Sequence, residues 1–228
     1  MGLLDLLFPR RCVSCGKFGN YFCRRCTSKI EFIRQPVCPV CTKPAIDGVT
    51  HPRCRTRYTL DGLTSIFRYN GVIRQAVKLL KYRLVTDLAK EFIDLIPFSF
   101  FQATLNNQQL PILVPIPLHP SRLRARGFNQ VEVLGKILSR RLNIPMRTNI
   151  LVRIKKTIPQ VEMQDRKKRL ENMEGVFSVQ NLAVKELSNM TTLLFDDVFT
   201  TGATLRSAAN ILKRSGVKKV WSITLAHG

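Results

Sequence analysis

Negative charge is scarce in this 228-residue chain: 15 Asp and Glu stand against 37 Lys and Arg, a formal net charge of +22. That imbalance disfavours acidic-surface chemistry and points to polyanionic partners: nucleic acid, phosphorylated metabolites or acidic lipid. Long apolar runs are missing as well. No stretch reaches 18 uninterrupted apolar residues, since Phe92 to Phe101 is broken by Asp94, Pro97 and Ser99, so no integral membrane segment is expected. The apolar Met1 to Pro9 stretch lacks a cationic flank, carries Asp5 and runs into Cys12, which does not suit a signal peptide. Leu6 stands where a myristoylation motif needs Ser or Thr. A soluble cytoplasmic protein is the expectation. Cysteine is absent beyond Cys54, and the seven present are an odd number grouped in C-x2-C pairs. This argues against a disulfide framework and for thiolate metal ligands in a reducing compartment.

With 45% hydrophobic and 23% charged residues, the chain is globular rather than disordered. Its length allows one good-sized domain and a small accessory module, not three independent cores. The end of the cysteines places the boundary near Arg57, giving a metal-binding module over 1–57 and an α/β domain over 58–228. In the second part, Ile73, Ala76, Val77 and Leu80, and then Val85, Leu88, Ala89, Phe92 and Ile96, recur at helical spacing. Residues 97–111 read as a loop. A short strand over Ile112 to Ile116 is followed by the Arg-rich residues 122–126, read as a polar loop, and by a helix from about Phe128. Strand, polar loop, helix is the order of an anion-binding turn. A weaker strand near Ile150 to Val152, a buried strand over Thr192 to Phe195, a helix carrying Leu205, Ala208, Ala209 and Leu212, and a last strand over Val220 to Leu225 complete the alternation. A mainly parallel sheet flanked by helices is the expected architecture. Trp221, in that last strand, reads as core.

The cysteines form four knuckles: Cys12-x2-Cys15, Cys23-x2-Cys26, Cys38-x2-Cys41 and His51-x2-Cys54. A C-x2-C turn brings two thiolates to one side of a tight loop, and two such turns close a tetrahedral Zn2+ site. Eight ligands make two structural sites, either sequential (Cys12, Cys15, Cys23, Cys26, then Cys38, Cys41, His51, Cys54) or interleaved. Metal supplies the folding free energy that a module of this size lacks.

The segment 192–204 runs from apolar residues into Asp196-Asp197 and then Thr200-Thr201-Gly202-Ala203-Thr204. Threonine hydroxyls and backbone N–H groups at a helix start suit a 5'-phosphate, Gly202 permits close approach, and carboxylates accept ribose hydroxyls or neighbour Mg2+. The stretch resembles the phosphoribosyl pyrophosphate (PRPP) signature of type I phosphoribosyltransferases. Pro115-Ile116-Pro117-Leu118-His119 with Arg126-Gly127-Phe128-Asn129-Gln130, and Leu151-x-Arg153 with Thr157, Gln160, Arg169, Asn172 and Phe177, are similar to blocks of the ComF family. His51 departs from that family's usual cysteine.

The resemblance implies a type I phosphoribosyltransferase-like domain behind a double zinc ribbon. It implies PRPP held by Asp196, Asp197, Thr200, Thr201, Gly202 and Thr204, with the two aspartates catalytic, Mg2+ at the diphosphate, and residues 117–126 as the pyrophosphate turn with Arg124 and Arg126 as its charges. Residues 153–172 correspond to a closing lid. Lys81 and Tyr82 end a helix near the hood over the acceptor, with core packing or helix-end charge an equal account. Natural competence is the implied process, with single-stranded DNA tracked by Arg124, Arg126, Lys155 and Lys156, and a helicase-like ATPase and other uptake factors as partners. Nucleotide salvage and a purely non-catalytic DNA-binding role are the competing readings.

Overall fold

The computed structural model describes residues 9–82, 85–105, 111–157, 171–180, 187 and 190–228. Strands β1 (Gly62–Arg68), β2 (Ile112–Pro115), β5 (Thr191–Phe199) and β6 (Lys219–His227) form one sheet in the order β1-β6-β5-β2, and every pairing in it is parallel. A separate antiparallel pair joins β3 (Leu151–Arg153) to β4 (Phe177–Val179). The helices are α1 (Arg24–Thr27), α2 (Gly71–Tyr82), α3 (Thr86–Asp94), α4 (Ser99–Leu105), α5 (Pro120–Arg126), α6 (Gln130–Leu142) and α7 (Ala203–Arg214).

Two apolar clusters cover the two faces of the sheet. One joins Leu113, Leu193, Phe195 and Ile223 to Ile73 and Val77 of α2, Leu88 and Phe92 of α3, and Leu134 and Leu138 of α6. The other joins Leu63, Val114, Leu194 and Val220 to Leu205, Ala209 and Leu212 of α7 and to Leu151 and Phe177 of the β3–β4 pair. Burial on both faces explains why the core strands read as continuous apolar runs.

The cysteine module is built into this core. Cys12, Phe22 and Cys26 are buried in the first cluster, with the Phe22 ring 5.6 Å from that of Phe92. Glu91 accepts the backbone N–H groups of Tyr21 and Phe22, and Arg10 pairs with Asp87 at 2.7 Å. The module also lies along the outer edge of β1: Ile33 N–H donates to Ile66, Arg68 N–H to Glu31, and Val49 bridges Gly62. An edge strand left bare would be a template for wrong pairing.

Four expectations need correction. Residues 97–111 are not all loop, because α4 occupies Ser99–Leu105. The Arg-rich segment is the helix α5, with Pro120 at its first turn, His119 Nδ1 accepting the Ser121 N–H at its start, and Gly127 left-handed (φ 80°) at its end. β1 was not read from the sequence at all. The strand before the threonine loop, expected to end in the two carboxylates, runs on past both aspartates to Phe199. Most of the expected lid, residues 158–170 with Gln160 and Arg169, lies outside the described residues.

Candidate functional site

The sequential pairing of the metal knuckles is the one the fold makes. Cys12, Cys15, Cys23 and Cys26 form one group and Cys38, Cys41, His51 and Cys54 the other, with the ligand atoms of each group within 4.8 Å of one another. Tetrahedral Zn–S bonds of about 2.3 Å separate neighbouring sulfurs by about 3.8 Å; Cys15 and Cys23 stand 3.6 Å apart. His51 belongs to the second group, with Nδ1 3.3 Å from the Cys41 sulfur. Its Nε2–H donates to the Pro44 carbonyl at 2.9 Å, which leaves Nδ1 as the metal-facing lone pair. Burial works to raise the Cys12 thiol, but backbone N–H groups at Cys15, Cys23 and Ser14 outweigh it and bring the group down to about 6. The donors fit two structural Zn2+ ions with no open position.

At the carboxyl ends of β2 and β5 the two aspartates have different partners. Asp197 is buried. Its Oδ2 lies 3.1 Å from Lys81 Nζ at the end of α2 and accepts a hydrogen bond from Gln130 Nε2 at 2.9 Å. Gln130 Oε1 in turn accepts from Arg126 Nη1 at 2.5 Å. Burial alone would lower the Lys81 pKa, but the Asp197 charge more than offsets it and the lysine is raised. Asn129 ties the same corner together: Oδ1 caps α6 at the Val131 N–H, and Nδ2 donates to the Ile116 carbonyl at the end of β2. The Arg-Gly-Phe-Asn-Gln block thus builds the wall behind Asp197.

Asp196 makes no ion pair among the described residues. Its Oδ1 accepts the Asp197 N–H at 2.8 Å. Burial first, and the Asp197 charge second, push its carboxyl up to about 7, against the pull of that N–H, Lys81 and Arg153.

The loop after β5 turns at Gly202, left-handed at φ 74°, which opens the 12-residue helix α7. Thr201 Oγ1 accepts the Ala203 N–H at 3.4 Å. A Cβ at Gly202 would lie 2.7 Å from the Phe199 ring and 3.0 Å from the Pro39 carbonyl, so a knuckle of the second metal group touches this loop. Thr200 and Thr204 are half-buried, while Arg124 is exposed on α5. Lys155 and Lys156 are exposed beyond β3, with Lys155 Nζ 3.3 Å from the Glu174 carbonyl.

Lys81, for which the sequence allows packing or helix-end charge as well as a place near the acceptor, faces Asp197, and Arg122, which no sequence motif singles out, donates through Nη2 to the Thr157 carbonyl at 2.8 Å. Arg153 stands out in the sequence only as part of the Leu151-x-Arg153 block. A charged residue at the end of an apolar strand is the signal that could have singled it out.

Comparison with known proteins agrees with this architecture. A double zinc ribbon domain matches residues 3–55 and a phosphoribosyl transferase domain matches residues 132–228. The chain is 30% identical over 213 residues to competence protein ComFC of Bacillus subtilis, covering 89% of this chain and 82% of that relative. It is 26% identical over 228 residues to competence protein F of Haemophilus influenzae, covering 92% and 99%. It is 28% identical over 210 residues to DNA utilization protein YhgH of Salmonella typhimurium, covering 87% and 88%. No described helix is long and apolar enough to cross a membrane. With both domains in order and similarity running through nearly the whole chain, the protein belongs to the ComF family of competence proteins.

Proposed function

We propose that the protein binds PRPP with Mg2+ at the carboxyl ends of β2 and β5, and that it acts in DNA uptake by handling incoming single-stranded DNA. The observation that carries this reading is the acidic strand end followed by the left-handed Gly202 turn into α7. Loop N–H groups and the hydroxyls of Thr200, Thr201 and Thr204 bind the 5'-phosphate. The two aspartates are the catalytic carboxylates of this reading. Asp196, the carboxylate without an ion pair, meets the ribose hydroxyls and is the hard oxygen donor that suits Mg2+. Asp197 acts through its fixed position between Lys81 and Gln130. When bound, Mg2+ would neutralise diphosphate charge, and the chain's own share is positioning and charge stabilisation. Transfer to a nitrogen nucleophile is the reaction class that belongs to this reading.

The names of the relatives, competence protein and DNA utilization protein, support the cellular role. Exposed Arg124, Lys155 and Lys156 supply phosphate contacts for DNA, and a helicase-like ATPase is the partner class for such a step. Cytoplasmic placement follows from that role.

The test is a thermal shift with Mg2+-PRPP. Wild type should gain several degrees in Tm and Asp196→Asn/Asp197→Asn should gain none. An equal shift in both proteins, or no shift in wild type, overturns the reading.

A further inference from the structure

The second ribbon and the segment that follows it touch both ends of α7, a 12-residue helix about 18 Å long. At the carboxyl end, Lys213 Nζ lies 2.8 Å from Asp61 Oδ2, with both side chains largely buried, and the Arg214 guanidinium stands 4.5 Å from the Tyr58 ring centre. Asp61 is itself fixed to the sheet: its Oδ2 accepts the Val220 N–H at 2.8 Å and its own N–H donates to the Val220 carbonyl. Val37 packs against the cluster that α7 shares with the sheet. At the amino end of α7, the Cys38-Pro39-Val40-Cys41 knuckle reaches Gly202, where the Pro39 carbonyl lies 3.0 Å from the position of an added Cβ.

The turn at Gly202 has little of its own to hold it. Gly202 opens α7 without a side-chain cap, and the Thr201 hydroxyl meets the Ala203 N–H only at 3.4 Å. On the side that a Cβ would occupy, its neighbours are the Phe199 ring of its own strand and the Pro39 carbonyl of the ribbon. A carbonyl oxygen repels an anion, so Pro39 does not serve as a phosphate contact; what it does, it does through Gly202. Pro39 is buried and stands between two members of the second metal group, so tetrahedral coordination of Cys38 and Cys41 fixes where its carbonyl points.

We propose that Pro39, held by the second metal group, is a positioning residue for the phosphate loop, so that metal at Cys38, Cys41, His51 and Cys54 and a phosphate at the start of α7 strengthen each other's binding. The identity of the ligand rests on the phosphoribosyl reading above; the brace on Gly202 does not. Coupling between two sites is reciprocal, and the factor by which the metal tightens phosphate is the factor by which phosphate tightens the metal. The first metal group is seated differently, on α3 through Phe22 and Glu91, and takes no part.

The experiment uses the full zinc-loaded chain as wild type, as Pro39→Gly and, for a matching change in the first knuckle, as Ser14→Gly. Hydrogen exchange of the Arg206 amide, which donates to the Gly202 carbonyl at 2.8 Å, reads the first turn of α7 without ligand. Zn2+ loss to a chromogenic chelator, with mass spectrometry of alkylated cysteines to tell the two groups apart, reads the metal. Pro39→Gly should speed Arg206 exchange and weaken ribose 5-phosphate, each about tenfold, and Ser14→Gly should do neither. In wild type, saturating ribose 5-phosphate should slow Zn2+ loss from the second group about tenfold and leave the first group unchanged; this arm stands whether or not the variant folds. Arg206 exchange unchanged in Pro39→Gly overturns the brace, and exchange that quickens throughout the sheet makes Pro39 merely structural and overturns it as well. Equal slowing of Zn2+ loss from both groups means that the ligand acts through global stability, which also overturns it. Ribose 5-phosphate that binds but slows neither group overturns the coupling and leaves the phosphoribosyl reading standing. Selective quickening of Arg206 in Pro39→Gly, with no ribose 5-phosphate bound by wild type, keeps the brace and removes that reading.

Discussion

Burial and the neighbouring Asp197 charge hold the Asp196 carboxyl at about 7, well above its ordinary 3.8. Between those two values the folded chain keeps a proton that the unfolded chain has released. Asp196 therefore contributes stability that is fully present below about pH 4 and is lost as pH rises through 7. Asp196→Asn should match wild type in Tm at or below about pH 4 and exceed it by a margin that grows up to about pH 7, read by thermal melts across that range. A constant difference would show that the carboxyl ionises normally. Ligand affinity should run the other way and rise through 7 as the carboxylate that a ribose hydroxyl or Mg2+ needs becomes available. The Asp-Asp pair itself was plain in the sequence, but its asymmetry was not. Lys81 lies 116 residues before Asp197 and Gln130 lies 67 before it, and no local pattern announces a pairing across such distances.

At the scale of elements, the signals that came through were those written within a few residues: four knuckles, helical spacing in α2, α3 and α7, and the threonine turn. α5 was legible in principle, since Pro120 in the first turn and Gly127 just past the end are the usual marks of a short helix. The density of arginine drew attention away from them. β1 was missed because its stability comes from long-range pairing, β6 on one side and the cysteine module on the other; seven residues, Gly-Leu-Thr-Ser-Ile-Phe-Arg, show no clean alternation. The turn at Gly202 shows how an element boundary carries both strain and contact. Gly216, after α7, is also left-handed but has open space around a would-be Cβ. Gly216→Ala should cost only the conformational term, about 1 kcal/mol. Gly202→Ala should cost clearly more, because the Phe199 ring and the Pro39 carbonyl must also move, and it should weaken PRPP binding while Gly216→Ala does not. Denaturant melts and titration of the two variants decide this; equal costs would mean that the knuckle does not press on the loop.

For the whole molecule, the excess of 22 positive charges divides between groups fixed in the fold and groups free on its surface. DNA affinity should fall steeply with salt. Arg124→Ala, on an exposed face, should reduce the slope of log affinity against log salt by about one unit; an unchanged slope would remove α5 from the DNA path. The metal module poses the larger question, whether it is a tethered bead or part of the core. Cys12, Phe22 and Cys26 share a cluster with Phe92, and Val49 of the second ribbon bridges Gly62 on β1. Trp221, the sole tryptophan, stands over Gly62 and donates its indole N–H to Thr64 at 3.0 Å, so its emission reports on the strand that the module covers. Stripping zinc with a chelator should shift Trp221 emission and lower the Tm of the whole chain, in one transition, by at least about 5 °C. A module that folds by itself would lose its metal with Trp221 and the Tm untouched. Re-adding Zn2+ should restore both signals together, because the ribbon and the sheet edge close as a single unit.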